Sequence, residues 1–221
     1  MDFSLFAEGP LLWIAFLVFI IGTLIRMGQF IFTARAKDKA LYNYFSLKYI
    51  LATLARWLLP LNVSVKKNPV FIPCVYLFHI CLIVVPIWLA GHISLWEESR
   101  FEWSWSSIPD QWADRMTLLL LAISIFFILR RALLADLRII TTFADYLMIV
   151  VSALPFATGY FLTHGTLDSI GFLGDNMRLL HVLSAELMLI LIPFTRLSHS
   201  VLFFFSRAAT GVEFGRRGYS I

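Results

Sequence analysis

Five long apolar stretches, at about 10–33, 70–92, 112–134, 139–163 and 177–206, take up most of this 221-residue chain. Runs of that length suit α-helices of about 20 residues crossing a hydrocarbon core of roughly 30 Å, and not barrel strands of about ten. A chain that is 60% hydrophobic and 14% charged, with a mean hydropathy of +0.82, is too apolar for a water-soluble domain of this size. The expected fold class is therefore an all-α integral membrane protein, a five-transmembrane-helix bundle forming a single membrane domain over 1–221.

The connections sort by charge. The segments 34–68, 130–138 and 206–221 together hold thirteen Lys and Arg against three acids, whereas 1–9, 93–115 and 164–176 hold two basic residues and nine acids. Lys and Arg are retained on the cytoplasmic side, so the pattern predicts the N-terminus outside, the C-terminus cytoplasmic and an odd number of crossings. Asp2 and Glu8 precede the first run, and Arg26, Arg35 and Lys37 fall within it or after it, so this run is expected to be retained rather than cleaved as a leader. The short stretch "FSLKYILATLARWLLPLN" (45–62) carries Lys48 and Arg56 and ends at Pro60, which predicts an interfacial amphipathic helix at about 45–60 on the cytoplasmic face. Trp96, Trp103, Trp105 and Trp112 fall near the opposite interface, where rings that are apolar on one side and wet on the other are favoured. Cys74 and Cys81 share one apolar run and read as small core residues. Membrane lipid is an expected partner and nucleic acid is not.

Four of the five histidines fall in two spans: His79 and His92 in the second, His181 and His199 in the fifth. On one straight helix a spacing of 18 is five turns, which would put His181 and His199 on one face about 27 Å apart. The second and fifth spans run in opposite directions, so His92 would meet His181 near the outer surface and His79 would meet His199 near the inner one. Facing imidazoles at two depths are what axial ligation of two haem irons requires. Arg178 and Arg196 each precede a histidine by three residues, on the same helix face, where a guanidinium can pair with a haem propionate. The 13-residue spacing of His79 and His92 works against this, because it turns them about 140° apart on an unbroken helix. Pro86 lies between them and can kink it.

These residues resemble those of the cytochrome b (gamma) subunit of respiratory nitrate reductase and of the related membrane cytochromes b in transmembrane redox complexes of sulfate-reducing bacteria. The resemblance covers roughly 70–205 and rests on "LFHI" at 77–80, "GH" at 91–92, "RR" at 130–131, "TTFADYLMIVVSALPFATGY" at 141–160 and "RLLHVLSAELMLILIPFTRLSH" at 178–199. It implies five helices holding two b haems between the second and fifth, with His92 and His181 on the outer haem iron and His79 and His199 on the inner. It also implies quinone near Gly91 and Arg115, although that family's quinol-site lysine falls on Ala113 and the second-span histidines stand three residues farther apart than in the nitrate reductase subunit. The size and the N-terminal third look more like the sulfate-reducer branch, whose partners are periplasmic multihaem cytochromes c and cytoplasmic iron-sulfur proteins. The expected function is then that of a dihaem electron-transfer subunit of an oxidoreductase complex in a bacterial inner membrane.

Two other readings stand beside it. Glu186 and Asp145 lie within spans, where acids mark proton paths or ion pairs, so a proton-linked transporter is one alternative. A haem-free structural anchor whose histidines hydrogen-bond between helices is the other. His164, in "THGT", reads as a surface residue, and Gly91 and Ala185 as small neighbours of proposed ligands.

Overall fold

The computed structural model describes residues 3–37, 43–59 and 63–219, and every regular element among them is helical. Asp2, Asp38, Lys39, Pro60 and Asn62, which entered the charge pattern or the helix limits, lie outside the described residues. In chain order the helices are α1 (Phe3–Lys37), α2 (Leu47–Leu58), α3 (Val63–Lys67), α4 (Phe71–Trp88), α5 (Ala90–Glu97), α6 (Asp110–Leu133), α7 (Ala135–Ile140), α8 (Phe143–His164), α9 (Gly171–Asp175), α10 (Met177–Leu191) and α11 (His199–Gly215). Helices α1, α4, α6 and α8 are long and apolar enough to cross a membrane, and α10 with α11 makes a fifth crossing if that bent pair is one span. The chain divides into two compact units, Pro73–Ala185 and the remainder.

Within Pro73–Ala185 the core is apolar and tight, built from Phe78, Cys81 and Val85 of α4, Leu120 and Ile123 of α6, and Phe156 of α8. The outward faces are apolar too: Ile80, Ile83, Ile125, Leu129 and Val150 are exposed, as suits side chains whose solvent is lipid. Hydroxyls on these helices turn back on their own backbone. Ser124 donates to Leu120 O and Ser152 to Met148 O, each at 2.8 Å, so neither buried hydroxyl is left unpaired. α6 starts after Pro109, carries Asp110 in its first turn and ends with Arg130 and Arg131, a charge order that complements the helix dipole. α8 opens on a capping box: the backbone N–H and hydroxyl of Thr142 both donate to Asp145 Oδ2 at 2.8 Å. Asp145 therefore caps a helix.

In the other unit, α1 runs 35 residues with a π-helical turn at Ala7–Leu11 around Pro10. α2 lies antiparallel on α11, and the register is visible in the contacts. Arg207 covers the Trp57 ring at 4.5 Å, Gly211 lies against Thr53, Gly215 against Tyr49, and Arg216 covers the Tyr44 ring at 5.1 Å. A Cβ on Gly211 would fall 2.6 Å from Thr53 Oγ1 and 2.8 Å from Tyr49 O, so the Gly-x-x-x-Gly face is what lets the backbones approach. Glu213 holds Arg216 at 2.8 and 2.9 Å and also pairs with Arg217. Gly211→Ala is expected to destabilise this pairing by about 1–3 kcal/mol through overpacking. Thermal unfolding in detergent should show a lowered Tm for it and no lowering for Gly28→Ala, whose new methyl would come no nearer than 3.8 Å to Phe32 and which replaces a helix-interior glycine by a better helix former.

The expected straight helix over 177–206 is corrected. α10 stops at Leu191, a turn and a 3-10 segment (Arg196–Ser198) follow, and α11 leaves at 75°. The physical reasons are local and tertiary. Pro193 has no N–H to continue the ladder, and Thr195 caps the 3-10 turn by accepting from Leu197 N at 3.2 Å. Gly22 of α1 then receives the turn, since a Cβ there would come within 2.8 Å of the Pro193 ring. His181 and His199 thus do not share the face of one rod, and the separation of about 27 Å computed for a rod does not apply.

Candidate functional site

The site begins where α4 ends. Leu89 is extended (φ −72°, ψ 130°), which breaks the helix and leaves the carbonyls of residues 86–88 without their helical partners. Three donors from farther along the chain take them: His92 Nδ1 on Pro86 O, Trp105 Nε1 on Ile87 O and Ile108 N on Trp88 O, all at 2.9 Å. Pro86 itself sits inside α4, three residues before the break. Because His92 belongs to α5 and His79 to α4, the angular offset of an unbroken helix does not apply to them.

His181 lies in the second turn of α10 and is positioned by α8. Its Nδ1 is 3.0 Å from Pro155 O and 3.3 Å from Thr158 Oγ1, and its ring rests on Gly159, where a Cβ would be 3.0 Å from Cε1 and 3.2 Å from Nδ1. Ser184 Oγ closes the set, donating to His181 O at 2.7 Å and standing 3.2 Å from Thr158 Oγ1. The rings of His92 and His181 are 6.0 Å apart, centre to centre, with planes 12° from parallel.

That spacing can be compared with what a shared metal demands. An imidazole nitrogen sits about 2 Å from its metal and the ring centre about 1 Å farther, so two rings on opposite sides of one ion stand roughly 6 Å apart. The hydrogen bonds fit as well. With Nδ1–H given to a backbone carbonyl, the free lone pair is on Nε2, the tautomer an axial ligand needs. No cluster of three or more His, Cys, Asp or Glu gathers among the described residues, but a porphyrin supplies four of its own nitrogens and asks the protein for two. The ring spacing and the Nδ1 hydrogen bonds of His92 and His181 are compatible with two ligands of one haem iron.

His79 and His199 share that tautomer. His79 donates from Nδ1 to Val75 O at 2.7 Å and packs edge-on to Phe78, in the unit Pro73–Ala185. His199 opens α11 in the other unit and donates to Arg196 O at 2.7 Å. Arg178 and Arg196 are both exposed, each three residues before a histidine. Gly91 is exposed with open space around it, and the Arg115 guanidinium lies 5.3 Å over the Trp112 ring. Ala113 is buried. Glu186 is 2% exposed, and neither carboxylate oxygen has a hydrogen-bond partner among the described residues.

Two features escaped the sequence reading. The Thr158–Gly159 seat of His181 lies inside the quoted "ATGY", where a glycine four residues after a proline was the available signal. The second is a pair at the end of α8, His164 Nε2 to Asp114 Oδ2 at 3.3 Å, with the His164 ring stacked on Tyr160 at 4.2 Å.

No protein-family profile matches the chain, and no solved structure matches it. A protein of Nitratidesulfovibrio vulgaris strain Hildenborough is 36% identical over 219 residues, covering 96% of this chain and 94% of that one. The two belong to one family. The match runs over nearly the whole length of both chains and so covers both compact units.

Proposed function

We propose that this chain is a dihaem cytochrome b, the membrane subunit of a respiratory redox complex in a bacterial inner membrane. The observation that carries the proposal is the His92–His181 ring pair, with centres 6.0 Å apart and planes 12° from parallel. Haem iron supplies one-electron transfer when bound. The chain's own residues would orient it. Pro86 O and Pro155 O fix the tautomers of His92 and His181, and Gly159 leaves room for the ring. His79 and His199 are proposed for the inner haem, on their shared tautomer and on the sequence resemblance. Arg178 and Arg196 are proposed for the propionates.

The proposed orientation puts the N-terminus outside and the C-terminus in the cytoplasm, on the loop charges. α2 is proposed to lie in the cytoplasmic interface: Leu47, Leu51 and Leu58 are exposed on it while Tyr49 and Thr53 face α11, which supports an apolar surface turned to lipid. Electrons would pass between a quinone pool or a periplasmic multihaem cytochrome c outside and an iron-sulfur protein inside, with Gly91 and Arg115 as the proposed quinone residues. The transporter reading loses one member of its relay, since Asp145 is engaged in capping α8.

A dithionite-reduced minus oxidised spectrum of the purified full-length protein tests the proposal. A b-type α band, with about two haems per chain by pyridine haemochrome, is the expected result. A chain purified from haem-replete cells with no such band would leave the transporter or the structural anchor.

A further inference from the structure

We propose that the groove between α1 and the turn after α10 holds one anionic phospholipid, with its phosphate on Arg26 and an acyl chain along α1. The inference goes beyond the cytochrome reading and does not depend on haem.

The groove lies within one compact unit and encloses about 520 Å³. One wall is a stripe of α1 that runs from Ile14 through Leu17 and Ile21 to Ile25, positions about one turn apart that share a face. The other wall is Pro193 and Phe194, from the turn where α10 ends. Gly22 fixes the seam between them, since a Cβ there would stand 2.8 Å from the Pro193 ring. Polar side chains line one end alone, and they are Arg26 and Gln29.

That end belongs at the rim of the hydrocarbon. Residues 9–25 carry no charge, a run of roughly 25 Å against a membrane core of about 30 Å. Arg26 is the first charge after it, and Arg35 and Lys37 follow toward the end of the helix, on the cytoplasmic side in the orientation proposed above. A guanidinium at this depth calls for an anion. The chain offers it none: among the described residues, neither the Arg26 guanidinium nor the Gln29 side-chain amide has a hydrogen-bond or ion-pair partner.

The dimensions select the occupant. From Ile14 to Arg26 is about 18 Å along the axis, close to the roughly 15 Å of hydrocarbon in one leaflet. A chain lying on the stripe therefore runs from headgroup level to the midplane. Spread over that length, the volume gives a channel roughly 5 Å wide, which suits an acyl chain and not a helix of about 10–12 Å with its side chains. At the polar end the planar fork of Arg26 matches two phosphate oxygens, and Gln29, three residues on along the same face, adds another donor. A zwitterionic head carries its own ammonium beside the phosphate, so the anionic head is favoured.

Native mass spectrometry of the purified full-length protein tests this, in detergent containing phosphatidylglycerol and phosphatidylethanolamine of identical acyl chains. One phosphatidylglycerol per chain should be retained in preference to phosphatidylethanolamine. Arg26→Gln should abolish the preference, weakening phosphatidylglycerol binding about tenfold, as loss of a charge-assisted pair does. Arg26→Lys should keep a reduced preference. Ile21→Trp leaves the guanidinium in place but fills the groove from an exposed position, and should lower retention as much. Arg35→Gln, which removes a cation of the same helix outside the groove, should leave retention unchanged. Equal retention of the two lipids by the wild type overturns the proposal, as does undiminished phosphatidylglycerol binding in Arg26→Gln or Ile21→Trp. An equal fall in Arg35→Gln would mark general surface charge and also overturns it. A lipid-free dimer that Ile21→Trp separates into monomers would give the groove to a second copy of the chain instead.

Discussion

His181→Ala is expected to remove one haem and leave the other, lowering the pyridine haemochrome value from about two haems per chain to about one. The ring is held by Pro155 O at 3.0 Å with its centre 6.0 Å from that of the His92 ring, so its removal would take away one side of the proposed two-sided clamp. The remaining imidazole could not hold the iron six-coordinate, and truncation to alanine leaves a void where the ring stood. His92→Ala should produce the same loss, and the double variant should be no worse than either single one, because two ligands of one ion act as a unit. His79→Ala and His199→Ala should each spare this haem and remove the other. One haem per wild-type chain, with only one of His79 and His92 affecting it, would be incompatible with the dihaem reading.

Gly159→Val should strike the same haem without touching a ligand. Even the Cβ of a larger residue would sit 3.0 Å from His181 Cε1 and 3.2 Å from Nδ1, and the two methyls of valine would push the ring off Pro155 O. Losing a hydrogen bond that orients a metal-binding histidine typically weakens binding about 10–100-fold. The expected result is a sub-stoichiometric or high-spin signal for that haem in Gly159→Val, against a wild-type spectrum for Gly28→Ala. A Gly159→Val protein with full, low-spin haem would mean that His181 is not a ligand in the conformation described.

Much of the fold was legible in the sequence because its solvent is simple. A helix that must satisfy its own backbone in hydrocarbon shows itself as an apolar run, and the runs at 112–134 and 139–163 correspond closely to α6 (Asp110–Leu133) and α8 (Phe143–His164). The breaks were less legible. Pro86 drew attention as a kink, yet the chain opens at Leu89, a residue with no breaking tendency of its own; the opening is stabilised by Trp105 and Ile108, which lie beyond any local window. Pro193 and Thr195 were in plain view in "PFTR", but the reason the chain bends there includes Gly22, some 170 residues away, whose missing side chain admits the turn. The sequence set His92 opposite His181, and their ring centres lie 6.0 Å apart. The pairing of His164 with Asp114 does not follow from anything local, since the two residues are fifty positions apart and share no periodicity.

The joint at Leu89 also bears on how such a chain can change over time. On an unbroken helix, each residue gained or lost between two ligands swings the second one by about 100°, so the interval between them would be frozen. Here His92, the second ligand in the proposed reading, rides on a separate short helix and is aimed by a bond to Pro86 O, so an insertion or deletion can be absorbed at one extended residue. A histidine interval of 13, three longer than in the nitrate reductase subunit that the sequence resembles, then becomes a tolerated drift rather than an obstacle. In homologues of this chain the feature to look for is a helix break followed within a few residues by a histidine, whatever its distance from the histidine before it.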